Sequence, residues 1–140
     1  LHPSHSAYDI IKNYQCRRTK TTSIVKELAA ASTETLVQTM KSGPFCIATD
    51  GNNDRGDKLY PLVVHYSENG NTRTMLLTLL ECKEKGTGEN IAKMIDNKFE
   101  EKGIPWRNCI ANVMIGVKSG AYRFLLQKQS ELYATGCICH

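Results

Sequence analysis

The stretch that most constrains the fold of this chain is residues 43–51, Gly-Pro-Phe-Cys-Ile-Ala-Thr-Asp-Gly, a short apolar run that ends in one carboxylate. Gly43 and Pro44 mark its start, and its composition is typical of a strand buried on both faces. At the end of such a strand, Asp50 would be held rigidly while its oxygens reach solvent, which suits a Mg²⁺ ligand. The simpler interpretation is a turn residue, because Asp before Gly often bonds its own backbone.

Hydrophobic periodicity over the rest of the chain predicts the element order β-β-β-α-β-α-β after a helical lead-in. Asn69-Gly70 predicts a tight hairpin between the second and third strands. Thr87 is a candidate N-cap for a helix that Gly103 ends. The expected strands are 45–50, 59–66, 72–82, 109–115 and 132–137, with further helices capped at Thr22 or Ser23 and at Ser32, and one from Ser119 to about Ser130.

This order predicts an α/β domain over residues 43–140 behind a helical lead-in of residues 1–42. A meander of three antiparallel strands followed by helix-linked strands gives a mixed sheet. In that sheet the end of the first strand lies beside the end of the fourth.

Charge and cysteine usage narrow the class of protein. The chain has 140 residues and a formal charge of +4, and its basic residues cluster at Arg17, Arg18 and Lys20. Such a cluster either binds phosphate or is a solvated surface. No segment has the apolar length of a membrane span, so no membrane partner is expected. The six cysteines lack the dense framework of a small secreted scaffold, which favours a reducing, intracellular compartment.

Several short motifs then occur in a fixed order. They are R-T-K-T-T at 18–22, G-P-F at 43–45, A-T-D-G at 48–51, K-L-Y-P-L at 58–62, G-T-G at 86–88, G-I-P-W-R-N-C at 103–109 and G-C-I-C-H at 136–140. Together they resemble hAT-type transposases and their domesticated vertebrate relatives, from about residue 17 onward. The resemblance implies a ribonuclease-H-like fold, truncated here, that cleaves and transfers DNA strands.

The chemistry that the resemblance implies uses two divalent metals held by an Asp, a second Asp and a distant Glu. Two metals about 3.5–4 Å apart stabilise the attacking and leaving oxygens of an in-line displacement. Asp50 matches the first Asp. The second should lie on the fourth strand, but no acidic residue occurs from Arg107 to Ser130, and the segment is shortened relative to the family. The Glu would lie beyond His140.

The sequence therefore predicts a metal site with an incomplete set of ligands, in which Asp50 is vestigial. No cofactor is expected, whereas a complete site would take Mg²⁺. Cys137 and His140 match a Cys-x-x-His pattern that the family carries after its fifth strand. Zinc is one interpretation of that pair, but a structural zinc site needs four ligands, and a buried structural role is the expected one.

The expected function is that of a catalytically incomplete ribonuclease-H-like domain from a hAT-type transposase-derived protein. It is not expected to be an enzyme and would retain at most DNA or protein binding. One alternative is an active metal-dependent transposase or nuclease in which Asp96 or Glu131 substitutes for the missing carboxylate. Another is a protein-interaction scaffold. The expected partners are DNA and a second copy, joined through a C-terminal region beyond this chain, and the expected location is the nucleus.

Overall fold

Helices and strands form a mixed α/β arrangement in the computed structural model, which describes residues 18–50, 52–54, 57–83, 85–114 and 120–136. The α/β prediction is confirmed. The elements in chain order are α1 (Arg18–Ser42), β1 (Phe45–Thr49), β2 (Asn52–Asp54), β3 (Asp57–Glu68), β4 (Asn71–Cys82), α2 (Gly88–Lys102), a 3₁₀ turn (Trp106–Asn108), β5 (Cys109–Met114), α3 (Ala121–Leu125) and β6 (Tyr133–Gly136).

The chain divides into two compact units, Leu1–Glu34 and Thr35–His140. This division falls inside α1, whereas the sequence placed a domain boundary after residue 42. That predicted boundary stays a prediction. The sheet belongs to the second unit, which therefore carries the α/β fold.

The sheet has five strand positions in the order β4, β3, β1, β5 and β6. β1 is parallel to β5, and β5 is parallel to β6, whereas β3 runs antiparallel to both β1 and β4. The short strand β2 pairs with residues 57–59 of β3, and β1 pairs with residues 62–66 of β3. Both lie on the same edge of β3, so β1 and β2 together occupy one strand position of the sheet. Thr49 at the end of β1 pairs with Met114 at the end of β5, as the element order predicted.

The hairpin between β3 and β4 forms at the predicted Asn69-Gly70 pair. Both residues have positive φ angles, 52° for Asn69 and 75° for Gly70. These angles are what a two-residue hairpin turn of the primed type requires, because its twist matches that of the flanking strands. The ladder begins at Glu68 paired with Asn71 and continues along both strands.

Helix α2 begins and ends at the predicted residues. The Thr87 side chain accepts a hydrogen bond from the backbone N–H of Asn90, and Gly103 closes the helix with a φ of 65°. At the start of the helix, a Cβ on Gly88 would overlap the backbone of Gly120 and Ala121. The absence of a side chain at Gly88 therefore lets the start of α2 approach the start of α3.

The lead-in differs from the sequence prediction, because α1 is one continuous helix rather than two helices with separate caps. The hydroxyl of Thr22 donates to the carbonyl of Arg18 at 2.8 Å, and that of Thr33 donates to the carbonyl of Ala29 at 2.9 Å. Each hydroxyl bonds one turn back within the helix, an alternative to capping that Ser and Thr can adopt. The predicted cap at Ser32 is wrong, since the residue lies inside α1.

Other elements differ from the prediction in length. Residues 52–54, expected as loop, form β2, and α3 spans only Ala121–Leu125 instead of continuing to Ser130. Pro61 lies within β3 and pairs with Leu79, but it falls where neither β1 nor β2 pairs with β3 on the other side. A strand proline is tolerated at such a place because no ladder partner needs its N–H.

All the buried side chains of the helices pack on one face of the sheet, here called the helix-covered face. Phe45, Ile47, Leu62 and Val64 point into it from β1 and β3. The Phe45 and Phe99 rings meet edge to face with centroids 5.8 Å apart. The core cluster also takes its helical members from this side, which are Leu36, Val37, Met40, Ala92, Ile95, Phe99, Ala121 and Leu125.

Candidate functional site

Asp50 lies directly after β1 and is exposed. The fold holds it there because β1 is paired on both sides, with β3 and with β5. The structure therefore puts Asp50 at the carboxyl edge of two parallel strands. This edge of an open α/β sheet is where ligands usually bind.

The first alternative partner for Asp50, Asp96 on α2, is already engaged. One carboxylate oxygen accepts a hydrogen bond from the indole N–H of Trp106 at 2.8 Å, and the other lies 2.6 Å from the ammonium of Lys128. The hydrogen bond and charge of Asp96 raise the pKa of Lys128. This arrangement ties α2 to the segments on either side of β5, which indicates a structural role for Asp96.

Trp106, which donates to Asp96, also packs against the core. Its ring packs on Phe99 with centroids 4.4 Å apart, and it is partly buried against the core. Trp106 thus closes the connection between α2 and β5 against the core.

Glu131, the second alternative, lies at the wrong end of the sheet. It is exposed and precedes β6, which runs parallel to β5 and hence to β1. Glu131 is thus near the start of the parallel strands, while Asp50 is at their end. Across the parts of the chain that the structure describes, no group of three His, Cys, Asp or Glu side chains could hold a metal ion.

Two buried polar atoms lie close behind Asp50 on the helix-covered face. Within the part of the chain that the structure describes, Thr49 Oγ1 and Asn112 Oδ1 have no hydrogen-bond partner, and the residues are 8% and 1% exposed. Asn112 pairs with Ile47 across the parallel ladder, so Thr49 is its diagonal neighbour, about 8 Å away between Cα atoms. The sequence analysis did not predict this pair. The signal that could have found it is Asn112, a polar residue between Ala111 and Val113 in an otherwise apolar strand pattern.

The basic residues are placed separately. Arg18 is the first described residue, and both it and Lys20 are exposed on α1. Two residues along a helix correspond to a rotation of about 200°, so their side chains leave opposite sides of α1. Arg18 and Lys20 therefore cannot bind the same phosphate together. Arg17 lies outside the described residues.

The predicted Cys137 and His140 pair also lies outside the described residues, so the zinc and structural interpretations both stay predictions. Among the described residues, Cys46, Cys82 and Cys109 form no disulfide; Cys82 and Cys109 are buried, and Cys46 is half-buried. Burial raises the pKa of Cys109 to about 12, and it also raises the pKa of Cys46. The Cys46 and Cys109 thiols are therefore protonated near neutral pH and behave as packing residues.

The search for relatives leaves the family assignment as a proposal. Comparison with protein-family models finds no match, and comparison with curated proteins finds no significant one. None of the described helices has the length and apolar character needed to cross a bilayer.

Proposed function

We propose that this chain is a ribonuclease-H-like domain of hAT-transposase origin that has lost its two-metal centre and retains nucleic-acid binding. The observation that carries the proposal is the environment of Asp50. It stands at the carboxyl edge where the family places its first metal-binding Asp, beside a β5 that contains no acidic residue. A single carboxylate cannot hold two metal ions in the geometry that in-line displacement needs.

The sheet supports the fold assignment within this proposal. An antiparallel meander of β1, β3 and β4 precedes β5 and β6, and α2 and α3 link these later strands. The end of β1 beside the end of β5 is the juxtaposition that the ribonuclease-H-like order implies. The two substitute carboxylates do not restore a centre, since Asp96 is engaged by Trp106 and Lys128 and Glu131 lies at the opposite edge.

Nucleic-acid binding in this proposal is electrostatic. Arg17, Arg18 and Lys20 give the lead-in three positive charges, and the whole chain carries +4. Because Arg18 and Lys20 leave α1 on opposite sides, each would meet a different phosphate. Such contacts position a protein on nucleic acid and do not read sequence.

The test measures duplex DNA binding by the full chain across a range of salt concentrations, by fluorescence anisotropy. Replacing Arg17, Arg18 and Lys20 by Gln should weaken binding and lower the slope of log K against log salt by about 0.9 for each lost phosphate contact. The control variant replaces three exposed lysines, Lys83, Lys85 and Lys93, by Gln and removes the same charge. Equal losses in both variants, or a flat salt response in the wild-type chain, would refute a nucleic-acid site on the lead-in.

A separate assay tests the loss of catalysis. Supercoiled plasmid incubated with the chain and Mg²⁺ or Mn²⁺ should stay intact, for wild type and for Asp50→Ala alike. Metal-dependent nicking that Asp50→Ala abolishes would establish the active-enzyme alternative instead.

A further inference from the structure

The first half of α1 carries a polar depression on one side of the helix. Its volume is about 450 Å³, and the side chains that line it are Arg18, Thr19, Thr22, Ser23 and Lys26. All of them are exposed and lie within the first compact unit of the chain. They share one side because residues three and four apart are neighbours on a helix. Arg18 and Lys26 are each four residues from Thr22, so the two cations flank it.

Arg18 and Lys26 have no carboxylate neighbour along the helix that would neutralise them. No Asp or Glu lies three or four residues before or after either cation. The acid closest to Lys26 in sequence, Glu27, directly follows it and therefore faces another side of α1. Lys98, by contrast, is paired with Glu101 three residues further along its own helix. The two positive charges at the depression are thus available to an external anion.

Hydroxyl groups between the two cations suit a phosphate oxygen. The Thr22 hydroxyl already donates to the Arg18 carbonyl at 2.8 Å, so it brings no donor to a ligand. The Thr19 and Ser23 hydroxyls each bring one donor to the same side of the helix. Arg, Lys, Ser and Thr side chains are the groups by which proteins usually contact the phosphates of a nucleic-acid backbone. The chemistry of the depression therefore fits a phosphate.

We propose that Arg18 and Lys26 together bind one phosphate of a duplex DNA backbone, which lies over Thr22. The site rests on the proposed nucleic-acid binding and refines it, because the lysine that shares a phosphate with Arg18 is Lys26. Lys20 is not part of the site, since its side chain leaves α1 on the side opposite Arg18. A phosphate contact carries no base information, so binding at this site is independent of DNA sequence.

A double-mutant cycle tests the shared phosphate, with anisotropy titrations of labelled duplex DNA across a salt series. Arg18→Gln and Lys26→Gln should each weaken binding, and the loss in the double variant should be at least about threefold smaller than the product of the two single losses. The slope of log K against log salt should fall in the double variant by about 0.9, the value for one phosphate. Arg18→Gln and Lys20→Gln share no phosphate, so their losses should multiply.

Lys41→Gln is the matched control, because Lys41 is an exposed lysine of the same helix, about 22 Å beyond Lys26. It should leave the salt slope unchanged. Equal slope losses in Lys41→Gln and Lys26→Gln, or losses that multiply for Arg18 and Lys26, would overturn the shared site and leave nucleic-acid binding intact. A wild-type chain that binds no duplex would refute the proposed function and the site with it.

Inorganic phosphate distinguishes a DNA backbone from a free anion as the ligand. At matched ionic strength it should displace the labelled duplex no better than chloride does, because a free phosphate makes only the contacts of this one site. Displacement by inorganic phosphate that Lys26→Gln abolishes would mean that the depression takes a free phosphate, and it would overturn duplex DNA as the ligand.

Discussion

The two faces of the sheet are made by the same strands but differ in what lies against them. On the helix-covered face, Phe45 and Ile47 are at most 1% exposed, and Phe99 packs against Phe45 and Trp106. On the opposite face, here called the open face, Leu76 and Tyr133 are more than half exposed. Alternation along each strand sends neighbouring residues to these different environments, so adjacent positions in the sequence carry very different energetic weight.

This difference indicates that the stability of the fold comes mainly from the helix-covered face. Burial of apolar surface is the main favourable term in folding, and here it is concentrated where the helices meet the sheet. Substitutions on the two faces should therefore differ in how far they lower the free energy of unfolding.

The largest effect is expected from paired truncations on the two faces. Phe99→Ala removes a ring that contacts both Phe45 and Trp106 and should lower the free energy of unfolding by about 3–5 kcal/mol. Leu76→Ala on the open face should cost less than about 1 kcal/mol, because the side chain is already half exposed. Urea unfolding measures both losses. Similar losses would contradict the distinction between the faces.

An effect of opposite sign is expected at Asn112, whose buried Oδ1 has no hydrogen-bond partner among the described residues. A buried acceptor without a hydrogen bond costs about 1–3 kcal/mol, so Asn112→Val should stabilise the chain by about 1–2 kcal/mol. Asn108 is the matched control, because its amide donates to the carbonyls of Met40 and Lys41 at 2.9 Å. Asn108→Val should therefore destabilise the chain. Destabilisation by Asn112→Val would mean that the Asn112 side chain makes a hydrogen bond that the structure does not show.

Local signals in the sequence predicted the parts of the fold that depend on a few neighbouring residues. The Asn69-Gly70 turn has the chemistry that its positive φ angles need, and Thr87 and Gly103 terminate α2 through bonds within one turn. The lead-in was predicted wrongly because Thr and Ser suit both caps and helix interiors. The short polar strand β2 gave no hydrophobic signal, because its stability comes from pairing with β3.

The candidate site was predictable only in part, since its residues come from distant segments. The position of Asp50 at the end of a strand follows from residues 43–51 alone, and the structure bears it out. That Asn112 faces the core opposite Ile47 depends on the register between β1 and β5, and a shift of one residue would turn it to the other face. Nor could the sequence reveal that Trp106 and Lys128 would engage Asp96.

The smallest expected effect compares two thiols, Cys109 in the core and Cys46 on the open face. Burial raises the pKa of Cys109 from 9.0 to about 12, so the unfolded chain loses this proton first as the pH rises. The stability is unchanged below pH 9 and falls progressively between pH 9 and 12, and the loss at pH 10 is about 1.4 kcal/mol. Unfolding measured at pH 7 and pH 10 should therefore show a smaller loss in Cys109→Ala than in wild type. Cys46→Ala should change this pH-dependent loss of stability less, because Cys46 is only half-buried. If Cys46→Ala and Cys109→Ala change the loss equally, the two faces do not differ in how well they exclude water.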